Sequence, residues 1–177
     1  MSRELSLPLF DADAAGFLAG PEIAQASLLA IEETRERIWG CFFLTSLAVD
    51  HDPHRHVREL CEALVRASQR GVDVRLLLDD FESSVDGLPT NEVTGHYLLR
   101  RGVAVRLYES ERHVSTHSKY LLFDDDSQIV GSGNLTHGGV ASNLEMALQV
   151  DSRDLMRWLG ERFLRNWETG RELEALA

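Results

Sequence analysis

Lysine is almost absent from this sequence. Of its 18 basic residues only Lys119 is a lysine; the rest are arginines. Positive charge as a whole is scarce, because 29 acidic residues against 18 basic ones leave a net charge of −11. That balance favours solubility and weakens indiscriminate attraction to polyanions, which argues against a non-specific DNA coat. Long apolar runs are missing too, and no stretch approaches the roughly 18 residues of a membrane span. The opening Met1-Ser2-Arg3-Glu4-Leu5 has one basic residue and no continuous apolar region, so no secretory signal is expected. Cysteine is limited to two positions. Cys61 lies on the apolar stripe of a predicted helix and Cys41 opens an apolar run. Both read as buried thiols rather than a bridge, and a reducing cytoplasm fits them best.

Linkers, low-complexity tracts and internal repeats are also missing. A chain of 177 residues, 44% apolar and 27% charged, can bury a core as one domain over 1–177, with 1–20 as a lead-in segment. Two periods alternate along it. Glu22 to Ile38 reads as a helix with Ala24, Leu28, Ile31 and Ile38 on one face. Cys41 to Leu44 reads as a strand. His54 to Arg70 carries Val57, Leu60, Cys61, Leu64 and Val65, the stripe of an amphipathic helix, and Gly71 stops it. Val72 to Leu78 predicts a second strand, Asn91 to Arg101 a short helix, and Val103 to Tyr108 a third strand. Strands at Tyr120–Phe123 and Gln128–Val130 flank a turn at Asp125-Asp126. Glu145–Val150 is a last strand, and Leu155, Leu159, Phe163 and Trp167 mark a C-terminal helix. This pattern predicts an α/β fold: a mixed, largely parallel sheet with a hairpin in its middle and helices on both faces.

Chemistry concentrates between residues 113 and 145. In a strand, residues i and i+2 point the same way, so His117 and Lys119 project together. An imidazole beside an ammonium suits a phosphate ester: Lys119 neutralises the non-bridging oxygens while His117 attacks phosphorus or carries a proton. After the turn come Gly131-Ser132-Gly133-Asn134, where glycines let backbone approach a ligand and Ser132 and Asn134 add polar groups on one side. Taken singly, a histidine beside a strand or a Gly-Ser-Gly-Asn turn is structurally ordinary. Together they spell His-x-Lys-x4-Asp-x6-Gly-Ser-x-Asn without a spacing error, and the chain's single lysine falls on the motif lysine.

This segment resembles the signature of the phospholipase D superfamily, the HKD phosphodiesterases. Asn134-Leu135-Thr136 and Asn143-Leu144-Glu145 are similar to that family's downstream text. The resemblance implies a phospholipase D-like fold, a covalent phosphohistidine on His117, and phosphate binding by Lys119, Ser132 and Asn134. It further implies that Glu145 hydrogen-bonds the histidine, and that Asp124 supports the catalytic set from a layer away from phosphorus. No metal or other cofactor is implied. The family's reaction needs two histidines, one attacking and one protonating the leaving oxygen. A chain with one lysine cannot supply a second motif, so a homodimer with one composite site is expected. Two equivalent imidazoles sharing one proton predict a bell-shaped pH–rate profile that persists in chelator.

Other constellations carry less. His51-x2-His54-x-His56 spans a strand end and a helix start, where solvated polar residues are expected more than a metal site. A hairpin turn accounts for Asp125 and Asp126 as well as a cation would. His113 and His137 flank the motif, where surface positions explain them more simply than substrate contacts. Asp79-Asp80 either lies near the cleft or caps the loop that follows. Arg100-Arg101 and the arginines of the last helix read as a solvated face. The expected substrate is nucleic acid, DNA or RNA, since compact single-motif relatives are mostly nucleases. Phospholipid or small phosphodiester hydrolysis is the alternative. A phosphate- or nucleic-acid-binding module of a larger defence or repair complex is another.

Overall fold

The computed structural model describes residues 8–47, 55–80, 84–85, 88–109 and 115–173. In chain order these form β1 (Ala14–Ala19), α1 (Pro21–Glu33), β2 (Arg37–Phe42), α2 (Arg55–Gln69) and β3 (Asp73–Asp79). A small antiparallel pair follows, β4 (Ser84–Val85) with β5 (Leu88–Pro89), then α3 (Thr90–Leu99), β6 (Ala104–Tyr108), β7 (Lys119–Phe123) and β8 (Ser127–Gly131). A π-helical turn (Gly138–Ser142), β9 (Met146–Asp151), α4 (Arg153–Thr169) and β10 (Arg171–Glu172) complete it.

Eight of these strands form one sheet in the order β1-β9-β8-β7-β2-β3-β6-β10. The sheet is mixed, as expected, with its parallel part confined to β2–β3 and β3–β6. The expected hairpin is β7–β8, and β9 and β1 extend it into an antiparallel half that helix–strand alternation could not reveal.

Side chains alternate across this sheet and divide the core in two. On one face Ile38, Phe42, Val74, Leu76, Leu78, Val105 and Leu121 pack with the buried residues of α1 and α2. α2 shows why the sequence folds this way: its apolar stripe buries Val57, Leu60, Cys61, Leu64 and Val65, while Arg58, Glu59 and Arg66 face outward. Truncating a fully buried leucine such as Leu64 to alanine would cost roughly 2–5 kcal/mol. On the opposite face Trp39, Cys41, Leu77, Tyr120 and Leu122 pack under Met156 and Phe163 of α4. Ser152 caps that helix, its hydroxyl accepting the Leu155 N–H at 3.3 Å. Both cysteines are buried and free, as the sequence suggested, and burial pushes the Cys41 thiol up to about 11 and the Cys61 thiol up to about 12.

Two expectations need correction. Residues 14–19 of the supposed lead-in are an edge strand, because the open edge of β9 satisfies their backbone groups. The first helix stops at Glu33 instead of reaching Ile38, which lies in β2. Thr34 ends it by turning its hydroxyl onto the Ala30 carbonyl at 2.6 Å. Across the fold the Asp124 carboxylate accepts the N–H groups of Arg35, Glu36 and Arg37 at 3.2, 2.8 and 3.0 Å. Periodicity within a helix cannot anticipate a contact almost ninety residues away.

Candidate active site

The parallel strands β2 and β3 deliver their carboxyl ends to one edge of the sheet, where open α/β sheets place their ligands. Lys119, the first residue of β7, pairs with Phe42, the last of β2. His117 lies just before it on extended backbone. Its ring is exposed and tilted 44° against Phe43, with centroids 4.6 Å apart.

Lys119 is buried, only 7% exposed. Its Nζ lies 2.9 Å from His117 Nδ1, donates to the His117 carbonyl at 2.8 Å, and stands 5.1 Å from the Phe43 ring centroid. Burial lowers its pKa from the ordinary lysine value, and the charge of Glu145, then that of Asp79, pulls it partly back. The spacing of two residues therefore does what the sequence suggested: it brings imidazole and ammonium into contact.

The return strand brings the other polar groups. Gly133 and the π-helical turn approach closely enough that a Cβ on Gly133 would sit 2.2 Å from the Gly139 carbonyl oxygen. Only glycine permits that crossing. It fixes Asn134, whose Oδ1 accepts the Leu44 N–H at 3.2 Å; among the described residues its Nδ2 finds no hydrogen-bond partner. Ser132, expected at the phosphate, turns toward Glu145 in the ligand-free chain. Its hydroxyl hydrogen-bonds the Glu145 carboxylate and accepts the Met146 N–H at 3.2 Å. The other Glu145 oxygen accepts Asn143 Nδ2 at 3.4 Å. Glu145 therefore holds no hydrogen bond to His117, contrary to the family-based expectation, because Lys119 takes Nδ1 instead. It nonetheless lies close enough to Lys119 for its charge to act there.

Asp124 sits at the far end of β7 from His117, about 16 Å from Lys119 at the usual strand rise. It takes φ 47° at the hairpin turn and spends its carboxylate on the start of β2. Its carboxylate therefore acts from the scaffold and does not touch the imidazole or the ammonium.

Asn91, which the sequence reading passed over, and Asp79, which it weighed as either near the cleft or a cap, complete the surroundings. Asn91 is 2% exposed; its Oδ1 accepts the Thr45 N–H at 2.6 Å and its Nδ2 donates to the Phe43 and Asp79 carbonyls at 2.9 and 2.7 Å. It clamps the ends of β2 and β3 together beneath the site. Asp79, 3% exposed, accepts the Thr116 N–H and so fixes the backbone that enters His117. The strand-end position of Asp79 was a signal; a polar residue at the start of a helix gave none for Asn91. Asp80 pairs instead with Arg171 at 2.9 Å. His51, His54 and His113 lie outside the described residues, and His56 lies 3.5 Å from Glu59. His137 precedes the π-helical turn. Asp125 pairs with Arg37, Asp126 completes the same turn, and the Arg101 guanidinium lies 3.8 Å over the Tyr97 ring.

A family model described as "Cardiolipin synthase, PLD-like domain" matches residues 28–167. The mitochondrial cardiolipin hydrolase of Danio rerio is 31% identical over 110 residues, which is 62% of this chain and 46% of that protein. Cardiolipin synthase A of Pseudomonas syringae pv. syringae is 32% identical over 142 residues, 76% of this chain and 27% of that one. The chain thus spans less than half the length of these curated relatives. Among solved structures, Nuc from Salmonella typhimurium, a phospholipase D family member, superposes with a TM-score of 0.74 at 20% identity. That superposition covers 92% of this chain and 100% of Nuc. NucT from Helicobacter pylori gives 0.70 at 16% identity, over 90% and 98%.

Proposed function

Because the chain belongs to the phospholipase D-like family, we propose that it is a metal-independent phosphodiesterase whose active site is completed by a second copy of the chain. The observation that carries this reading is the 2.9 Å contact between the imidazole of His117 and the buried ammonium of Lys119. With Nζ charged, Nδ1 accepts and the ring proton sits on Nε2, the form of a proton donor. A phosphodiester in the pocket draws the ammonium onto its non-bridging oxygens, and the free Nδ2 donors of Asn134 add to that cradle. Release of Nδ1 lets the proton move there, with Glu145 the nearby carboxylate to receive that N–H, and leaves Nε2 as the nucleophile.

Nε2 then forms a bond to phosphorus as the ester P–O bond breaks. The partner copy's ring, carrying the extra proton the pair shares and so an imidazolium, gives that proton to the departing oxygen and becomes neutral. Water next attacks the phosphohistidine, giving its proton to the partner's imidazole, and both rings return to their starting state. Ser132 and Asn143 hold the Glu145 carboxylate in place.

Nucleic acid is the substrate we favour. Nuc and NucT superpose over 92% and 90% of this single-motif chain, and its net charge of −11 suits single strands better than tight duplex binding. The resemblance to a cardiolipin hydrolase favours phospholipid as a second reading. Turnover of bis(p-nitrophenyl) phosphate in EDTA tests the chemistry, with a bell-shaped pH–rate profile expected. A rate abolished by chelator and restored by a divalent cation would overturn it. Single-stranded DNA, duplex DNA, RNA and cardiolipin vesicles, compared under the same conditions, decide the substrate.

A further inference from the structure

Phe43 is an aromatic side chain that the core does not use. It follows directly on β2, is half-buried, and belongs to neither of the two apolar clusters that pack the faces of the sheet. Its position is nonetheless fixed from three sides. The Phe43 N–H donates at 3.2 Å to the carbonyl of Ser118, the residue between His117 and Lys119. The Phe43 carbonyl accepts Nδ2 of the buried Asn91 at 2.9 Å. The next residue, Leu44, is tied to the return strand: its N–H donates to Asn134 Oδ1 and its carbonyl accepts the Leu135 N–H at 3.1 Å. The ring held in this way meets both groups of the motif. Its centroid lies 4.6 Å from that of the His117 imidazole and 5.1 Å from Lys119 Nζ.

We propose that Phe43 is a positioning residue for the reaction: its ring is the surface that holds the His117 imidazole in place and the face that keeps the Lys119 ammonium charged. The inference deepens the preceding reading and rests on it for the part played in turnover. His117 is exposed on extended backbone, and the Glu145 carboxylate is engaged by Ser132 and Asn143 instead. The hold on its Nδ1 comes from Lys119, and a phosphodiester that draws the ammonium away releases it. The contact with Phe43 does not depend on the ammonium. It therefore stays through that exchange and keeps Nε2 aimed. The ammonium has a different need. Burial favours its neutral form, which could not neutralise a phosphate. The titratable groups that face it are His117, Glu145, Cys41 and Asp79. To these Phe43 adds the negative face of an aromatic ring, which attracts a cation more strongly where water is excluded. A leucine there would fill the space without that field.

Lys119 is the only lysine in the chain, so full-length protein grown on ¹³C,¹⁵N-lysine gives one side-chain signal, and its titration by NMR needs no turnover. Phe43→Leu should move that titration down by about half a pH unit to one unit, and Phe43→Tyr should restore it. With bis(p-nitrophenyl) phosphate at pH 7, Phe43→Leu should lower kcat about 10–100-fold, because the nucleophile is no longer held. KM should stay within about threefold, since the lysine still carries its proton there. Phe43→Tyr should recover most of the rate. If Phe43→Leu does not fold, as judged by circular dichroism, Phe43→Met serves in its place. A lysine that titrates in Phe43→Leu as in wild type overturns the proposal, and so does a Phe43→Leu variant as fast as wild type. A loss of rate that Phe43→Tyr fails to recover also overturns it. A wild type that turns over no phosphodiester ends the reading on which this one rests, while the lysine titration still decides what the ring does for the ammonium.

Discussion

The two ends of β7 belong to one sequence motif and do opposite work. At its start, Lys119 is an ammonium held in a buried position that lowers its proton affinity, beside an exposed imidazole. At its other end, Asp124 is a carboxylate that accepts three backbone N–H groups and ties the hairpin to β2. The first end is arranged at the expense of stability, since a desolvated charge is costly. The second supplies stability, because charge-assisted hydrogen bonds are among the stronger ones. A fixed spacing in sequence therefore does not imply a shared chemical role: four strand residues, Tyr120 to Phe123, separate Lys119 from Asp124.

The contrast can be broken most severely at His117. Replacement by Asn should lower kcat about 10³-fold or more, because the nucleophile is lost, with no change in melting temperature. Initial rates beside a thermal melt check both halves. Lys119→Met should lower kcat/KM about 10²–10³-fold and yet stabilise the chain by about 1 kcal/mol, since an apolar side chain replaces a buried charge. For a chain of this size that is a rise of roughly 2–4 °C. Asp124→Ala should do the reverse. It should cost about 2–4 kcal/mol in urea unfolding, while turnover per folded molecule stays within about threefold. Asn at that position should recover much of the loss, because it tolerates positive φ and keeps an acceptor. The smallest effect is in pH. Lys119 has a folded pKa below its unfolded value, so from the lowered value up to about 10.5 the unfolded chain binds more protons. The stability of wild type should therefore rise relative to Lys119→Met through that window and be flat below it. A Lys119→Met variant with a lower melting temperature would show that the lysine stabilises the fold.

Much of this was legible without coordinates. The stripe on α2 and the alternation of β6 and β7 follow from local periods of 3.6 and 2, and the elements formed close to where those periods lie. His117 and Lys119 meet because neighbours two apart on extended backbone must point the same way. The missed features are long-range. Asn91 reads as an ordinary helix-start residue until β2 and β3 are placed on either side of it. The end of α1 meets Asp124 from almost ninety residues away, and the nearness of Ser132 to Glu145 is created by the β8–β9 pairing.

The sequence by itself determined the elements, the two-faced sheet and the meeting of imidazole with ammonium, because each depends on residues a few positions apart whose geometry the backbone imposes. It took strand pairing to make Asp124 a brace, to bring Ser132 to Glu145, and to set α4 over Trp39, Cys41, Leu77, Tyr120 and Leu122. Those outcomes depend on strand order, which is set by packing among segments distant in the chain, where local periodicity has no reach.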